Sequence, residues 1–183
     1  MLNKVQDLST YDFQAGEKIL LDANIWLYLY PAPTQPAPGI SAPYTTAFKK
    51  MLAAKAEIIL DALILSEYIN RYCRIEWSAH YKEKYEQFKD FRKSSDFRAV
   101  GTDVACFVRA MLKQSKRCHH PFDVADICQV VDSLEAGQLD FNDGLIVETC
   151  KLNGWKLVTH DQDFKEGGIE VLTTNIQLRA ACP

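Results

Sequence analysis

The chain has 183 residues, 48% of them hydrophobic and 25% charged, with a net charge of −3. That is the size of one domain and the composition of an ordinary soluble globular protein, long enough to bury a sizeable core. No apolar stretch approaches the ~20 residues of a membrane span, Met1 to Gly16 lacks the pattern of a signal peptide, and the small net charge argues against an indiscriminate nucleic-acid binder, so a cytoplasmic protein with no membrane partner is expected.

In chain order, the apolar run Ile19-Leu20-Leu21 predicts a strand at about 18–22, followed by a helix from Asn24 to about Tyr30. Five of the seven prolines then fall at Pro31, Pro33, Pro36, Pro38 and Pro43, which excludes a regular helix or central strand there and predicts a loop at 31–43. A helix over about 45–55 and a strand at 57–60 follow. Asp61 is placed to cap the next helix, on which Leu63, Glu67, Asn70, Arg71 and Arg74 share one face. Trp77, Tyr81, Tyr85, Phe88 and Phe91 recur at helical spacing and predict an amphipathic helix over 77–91. Phe97 to Val100 reads as a short strand. Thr102 is expected to cap a helix from about 103 to 116. Pro121 is expected to open another to about 136, with Val124, Ile127, Cys128, Val131 and Leu134 inward. Asn142 is the expected cap of a helix over 143–152, with Gly154 at its C-terminal end. Strands at 155–159 and 169–172 complete a parallel sheet of about five strands with helices on both faces.

Charge is unevenly spread. Residues 49–120 carry 15 Lys and Arg against 9 Asp and Glu, whereas residues 121–183 carry 4 against 11. A basic middle and an acidic C-terminal part read either as two walls of one cleft or as two solvated faces. The six cysteines form no Cys-x-x-Cys pair and read as reduced core residues. Cys118-His119-His120 lacks the second ligand pair that a zinc finger needs.

Four acidic residues occupy the same kind of joint. Asp22 ends the first apolar run, Glu67 lies early in the helix after Ile58-Ile59-Leu60, Asp143 opens the helix containing Leu145-Ile146-Val147, and Asp161 follows Leu157-Val158-Thr159. In a parallel sheet the strand carboxyl ends and the helix N-termini share one edge, where ligands bind. Each acid taken singly also reads as structural: Asp22 as a cap, Asp143 as a favourable charge at a helix N-terminus, Asp161 as a turn residue. Four together would repel, and a divalent cation offsets that repulsion. Such ions take oxygen ligands, neutralise phosphate oxygens and activate water, which is what phosphodiester cleavage requires.

The motifs themselves are familiar. Leu20-Leu21-Asp22-Ala23-Asn24 resembles the opening motif of PIN-domain nucleases. Leu65-Ser66-Glu67-Tyr68-Ile69-Asn70-Arg71 resembles their second, Phe141-Asn142-Asp143-Gly144 their third, and Thr159-His160-Asp161-Gln162-Asp163-Phe164 their closing T-x-D-x-D-F. All four occur in family order between residues 19 and 164. The resemblance implies a three-layer α/β/α Rossmann-like sandwich over 1–183, with Mg²⁺- or Mn²⁺-dependent cleavage of RNA. It implies Asp22, Glu67, Asp143 and Asp161 as metal-binding catalytic residues, with Asn24 and Thr159 as supporting polar residues. It also implies kinship with VapC-type toxins, which are commonly dimeric and held by a cognate antitoxin, so an antitoxin and a homodimer are expected partners. The proline-rich stretch and the long helical middle around 76–116 depart from the compact toxins.

The expected function is thus a metal-dependent endoribonuclease, the toxin of a type II toxin–antitoxin pair, with Arg71 and Arg74 extending from the metal site toward substrate phosphates. Arg71 could instead pair internally with Glu67 or Asp143. A non-catalytic PIN-like module that binds RNA or protein is the alternative. An aspartyl nucleophile at Asp22 is a third reading, weakened because such enzymes need a second Asp where Asn24 stands.

Overall fold

The computed structural model describes residues 1–35 and 39–182; the proline-rich stretch therefore lies partly outside the described residues. Among the described residues there are six strands, all parallel, in the order β1-β6-β5-β2-β3-β4. They are β1 (Lys4–Asp7), β2 (Lys18–Leu21), β3 (Glu57–Leu60), β4 (Lys116–Arg117), β5 (Lys156–Val158) and β6 (Glu170–Thr173). Helices cover both faces, which gives the expected α/β sandwich with one strand more than expected.

The interior strands are short apolar runs because both faces are covered. Ile19, Leu20 and Leu21 of β2 are buried, and Ile58, Ile59 and Leu60 of β3 nearly so. The two edge strands carry weak signals. β1 is only half-buried, and β4 is two exposed basic residues. From β2 the chain runs outward through β3 to β4, then returns to the other side of β2 for β5 and β6. The order therefore reverses between β2 and β5, and a crevice opens at their carboxyl ends, as in other open α/β sheets.

The helices are α1 (Ala23–Leu29), α2 (Ser41–Ala54), α3 (Ala62–Glu76), α4 (Phe88–Lys93), α5 (Phe97–Gln114), α6 (Ile127–Glu135), α7 (Phe141–Asn153) and α8 (Ile176–Ala181). Asp61 caps α3 as expected, its Oδ1 accepting from the Leu63 N–H at 2.7 Å. Gly154 ends α7 at φ 63°, where a side chain would strain the backbone. No helix among the described residues is long and apolar enough to cross a membrane.

Five expectations are corrected. The single helix over 77–91 is instead a π-turn at Trp77–Tyr81, an irregular link and α4. Its aromatics gather around the buried Phe91, with Tyr81 stacked on it at 4.5 Å, rather than lining a straight face. The strand at Phe97–Val100 is the first turn of α5. Phe97 packs edge-on to Phe91, and Val100, Val104 and Met111 fall on one buried helical face. Thr102 lies inside that helix and bonds the Arg98 carbonyl. The helix at 121–136 begins only at Ile127, capped by Asp126, and its face is rotated. Val130 is its buried residue, whereas Val124, Cys128, Val131 and Leu134 are exposed. Val130 docks onto Gly144 of α7, where a Cβ would lie 2.8 Å from Val130 Cγ1. Finally, Asp140 rather than Asn142 caps α7, its Oδ1 accepting from the Asp143 N–H at 2.8 Å.

All six cysteines are free. Cys73, Cys150 and Cys182 are buried, but Cys106 and Cys128 are exposed and so are not core residues. Cys118 and His120 meet the buried Asp61, with His120 Nδ1 3.1 Å from its Oδ2.

Candidate active site

Asp22 stands where β2 becomes α1. Its backbone leaves the strand extended (φ −62°, ψ 157°), and its Oδ1 accepts from the Ala23 N–H at 2.5 Å. The other oxygen accepts from Asn24 Nδ2 at 2.6 Å and from the Thr159 hydroxyl at 2.7 Å. Asn24 Nδ2 also reaches Thr159 Oγ1 at 3.2 Å, and that same oxygen accepts from the Asp161 N–H at 2.9 Å. One buried network therefore joins the ends of β2 and β5 across the switch point. Asp22 is 5% exposed and Thr159 0%, so these bonds are shielded from water.

The other acids enter from neighbouring elements. Glu67 lies five residues into α3, and Asp143 in the first turn of α7. Asp161 follows β5 and folds into a turn, its Oδ1 accepting from the Asp163 N–H at 3.0 Å. The charges of these acids act on two of the carboxyls, Asp22 and Asp143. Burial pushes the Asp22 carboxyl up to about 6. The Thr159 hydrogen bond opposes this, and the charges of Glu67 and Asp161 add to it. Asp143 is pushed up to about 8, first by burial and then by Asp140, Asp22, Asp161 and Glu67. Asp143 thus senses the charges of Asp22, Asp161 and Glu67, and Asp22 those of Glu67 and Asp161, with burial the larger cause of the rise in both.

Arg71 is the near cation. Its Nη1 lies 3.1 Å from Glu67 Oε1, one helical turn away, as the internal-partner reading required. Arg74, seven residues beyond Glu67 on α3, has its guanidinium carbon 4.5 Å from the Phe88 ring centroid. A cavity of about 220 Å³ adjoins Asn24 and Arg71 and is lined also by Tyr28, Ala32 and Gln35, so the described start of the proline-rich stretch borders the site. Thr34 anchors that stretch, bonding Glu76 of α3 through its hydroxyl at 2.6 Å.

Two contributors escaped the sequence. Asp140 adds a fifth negative charge beside Asp143; a cap position was expected there, but was placed two residues later. Tyr44 of α2 puts its hydroxyl 2.7 Å from His160 Nδ1 and 3.1 Å from the Thr174 N–H it accepts, tying the β5 and β6 exits together. Nothing in its helical surroundings signals that role.

The donor set is all oxygen, as hard divalent cations require. Among the described residues no three His, Cys, Asp or Glu side chains converge tightly enough to form a ready-made cage. Asp22 has both oxygens oriented by hydrogen bonds, and the charges of Glu67 and Asp161 act on it.

A family model described as PIN domain matches residues 19–170, from the first residue of the β2 apolar run to β6. Among solved structures, the chain is similar to VapBC2 from Rickettsia felis, crystallised bound to a DNA fragment from its promoter. That match has 16% identity, covers 85% of this chain and 98% of the other, and has a TM-score of 0.50. It is also similar to PAE2754 from Pyrobaculum aerophilum, with 20% identity, 91% and 98% covered and a TM-score of 0.47. None of the curated proteins compared with it matches. With the model spanning all four acidic joints and the parallel sheet that aligns them, the chain belongs to the PIN-domain family, whose members are generally nucleases.

Proposed function

We propose that the chain is a divalent-metal-dependent endoribonuclease. The observation that supports this best is the shared field of four carboxylates, drawn from four separate elements to the switch point of a parallel sheet. Asp22, Glu67, Asp143 and Asp161 would hold Mg²⁺ or Mn²⁺, and the bound cation supplies a water of lowered pKa and neutralises phosphate oxygens. Thr159 and Asn24 both donate to one Asp22 oxygen and orient it. Arg71 offsets the charge of Glu67 and is close enough to lean onto a phosphate as the acids are neutralised.

The cellular role we propose is that of a toxin countered by a cognate antitoxin, in keeping with the motif resemblance and with a VapBC2 assembly among the structures of similar fold. The catalytic claim is tested with end-labelled single-stranded RNA and purified protein. Cleavage is expected in Mn²⁺ or Mg²⁺ and is expected to vanish in excess EDTA and in Asp22→Asn. Cleavage by Asp22→Asn at the wild-type rate, or full activity in EDTA, overturns the metal roles. The toxin claim predicts growth arrest on expression that depends on Asp22 and is relieved by a small DNA-binding protein encoded beside the gene.

A further inference from the structure

The helical middle that departs from the compact toxins builds a second concave site. Between α3 and α4 lies a pocket of about 470 Å³ lined by Asn70, Arg74, Phe88, Lys89, Arg92 and Lys93. Four of its six residues are cationic, and Asp90, the one acid in α4, does not line it. Some cations elsewhere are paired, such as Lys84 with Asp96 and Lys116 with Glu57, but here four gather in one concavity. Among the described residues, the four cations of this pocket have no carboxylate within 4 Å. Like charges gathered in a concavity raise the free energy of the empty protein and focus a positive field outward.

The second feature is aromatic. The Arg74 guanidinium carbon lies over Phe88, 4.5 Å from the ring centroid, and Phe88 is itself braced edge-on by Trp77 at 5.7 Å. The cation–π contact favours this position of the Arg74 guanidinium beside the pocket, where a guanidinium can pair with phosphate oxygens or stack on a planar group. A cationic groove with a stacking platform is the construction that holds single-stranded nucleic acid. The pocket also lies in line with the acids. Glu67, Asn70 and Arg74 share one face of α3, and Arg74 is about 10 Å of helical rise beyond Glu67.

We infer that this pocket is a substrate-anchoring site, which binds the sugar–phosphate backbone of a single RNA strand a short distance from the bond cut at Asp22. The inference rests on the nuclease reading for the identity of the strand as substrate, but the binding itself does not require cleavage. It gives the helical insertion a function: it lengthens the stretch of strand the protein grips.

The test uses the full chain and the triple variant Lys89→Ala/Arg92→Ala/Lys93→Ala, with a matching glutamine triple as a second variant. All three positions are exposed, so the melting temperature and circular dichroism should match wild type. Binding of a fluorescent single-stranded oligoribonucleotide is measured by anisotropy in EDTA across a salt series. The expected result is an affinity at least about tenfold lower at low salt and a slope of log K against log salt shallower by about 2, at about 0.7 per lost phosphate contact. In Mn²⁺, KM for the long strand should rise with kcat unchanged. An unchanged affinity and salt slope in both variants overturns the anchoring site, whatever the cleavage result. Loss of binding to a polyglutamate probe with RNA binding intact also overturns it, in favour of an acidic polypeptide. If wild type cuts nothing but the variants still lose affinity and slope, the nuclease reading fails and the anchoring site stands.

Discussion

Replacing Asp22 by Asn should change stability in opposite directions at the two ends of the pH range. Burial and neighbouring charges raise the Asp22 carboxyl from 3.8 to about 6. Keeping it ionised in the metal-free folded protein at pH 8 therefore costs about 3 kcal/mol relative to the unfolded chain. The sign follows from the direction. A carboxyl whose folded pKa is raised binds its proton more tightly when folded, so stability is highest below about pH 4, falls as pH rises to about 6, and stays low above that. Asparagine removes the charge but is imperfect in the network. Its amide N–H₂ faces Asn24 Nδ2 and Thr159 Oγ1, both of which now donate to Asp22. That mismatch costs about 1–2 kcal/mol. The net expectation in EDTA is a variant more stable by about 1–2 kcal/mol at pH 8 and less stable by a similar amount at pH 4. The swing of about 3 kcal/mol corresponds to about 6–12 °C in melting temperature for a chain of this size. Thermal melts of both proteins across the pH range give the answer. A difference in melting temperature independent of pH would refute the argument that Asp22 is a buried charge held in a repulsive field.

Thr159→Val deletes the hydroxyl that donates to Asp22 in a buried bond and accepts from the Asp161 N–H in a part-buried one. It should cost about 1–3 kcal/mol in thermal or urea unfolding, and lower Mn²⁺ affinity beyond that; a stability equal to wild type would show that the network is not shielded. Gly144→Ala places a Cβ 2.8 Å from Val130 Cγ1. It should destabilise by about 1–3 kcal/mol through overpacking of α6 on α7, and adding Val130→Ala should restore part of that loss. No recovery in the double variant would place the strain elsewhere.

The four acids stood out in the sequence because each lies beside an apolar run at a strand–helix or strand–turn joint: Asp22 after β2, Glu67 in the helix after β3, Asp143 in the first turn of α7 and Asp161 after β5. Asp140 was missed because Asp140 and Asn142 are both capping residues two positions apart, and local chemistry does not choose between them. β1 was invisible because a four-residue edge strand that is half-buried has neither an apolar run nor a clear alternation. The segment from Trp77 to Val100 misled for the opposite reason. Its aromatics have helical spacing, but their burial comes from clustering around Phe91, a three-dimensional arrangement that periodicity does not encode. The inward face of α6 was misjudged because the one residue that docks, Val130, is selected by the absent side chain of Gly144 rather than by the apolar stripe.

The central claim is that these carboxylates hold a divalent cation. Manganese binding followed by electron paramagnetic resonance, with wild type and Asp22→Asn in parallel at neutral pH, tests it most directly. Saturable Mn²⁺ binding by wild type, weakened at least tenfold in the variant and displaced by excess Mg²⁺, is the predicted result. Equal Mn²⁺ binding by the two proteins, or none by either, would contradict the claim and favour a PIN-like module that binds without cutting.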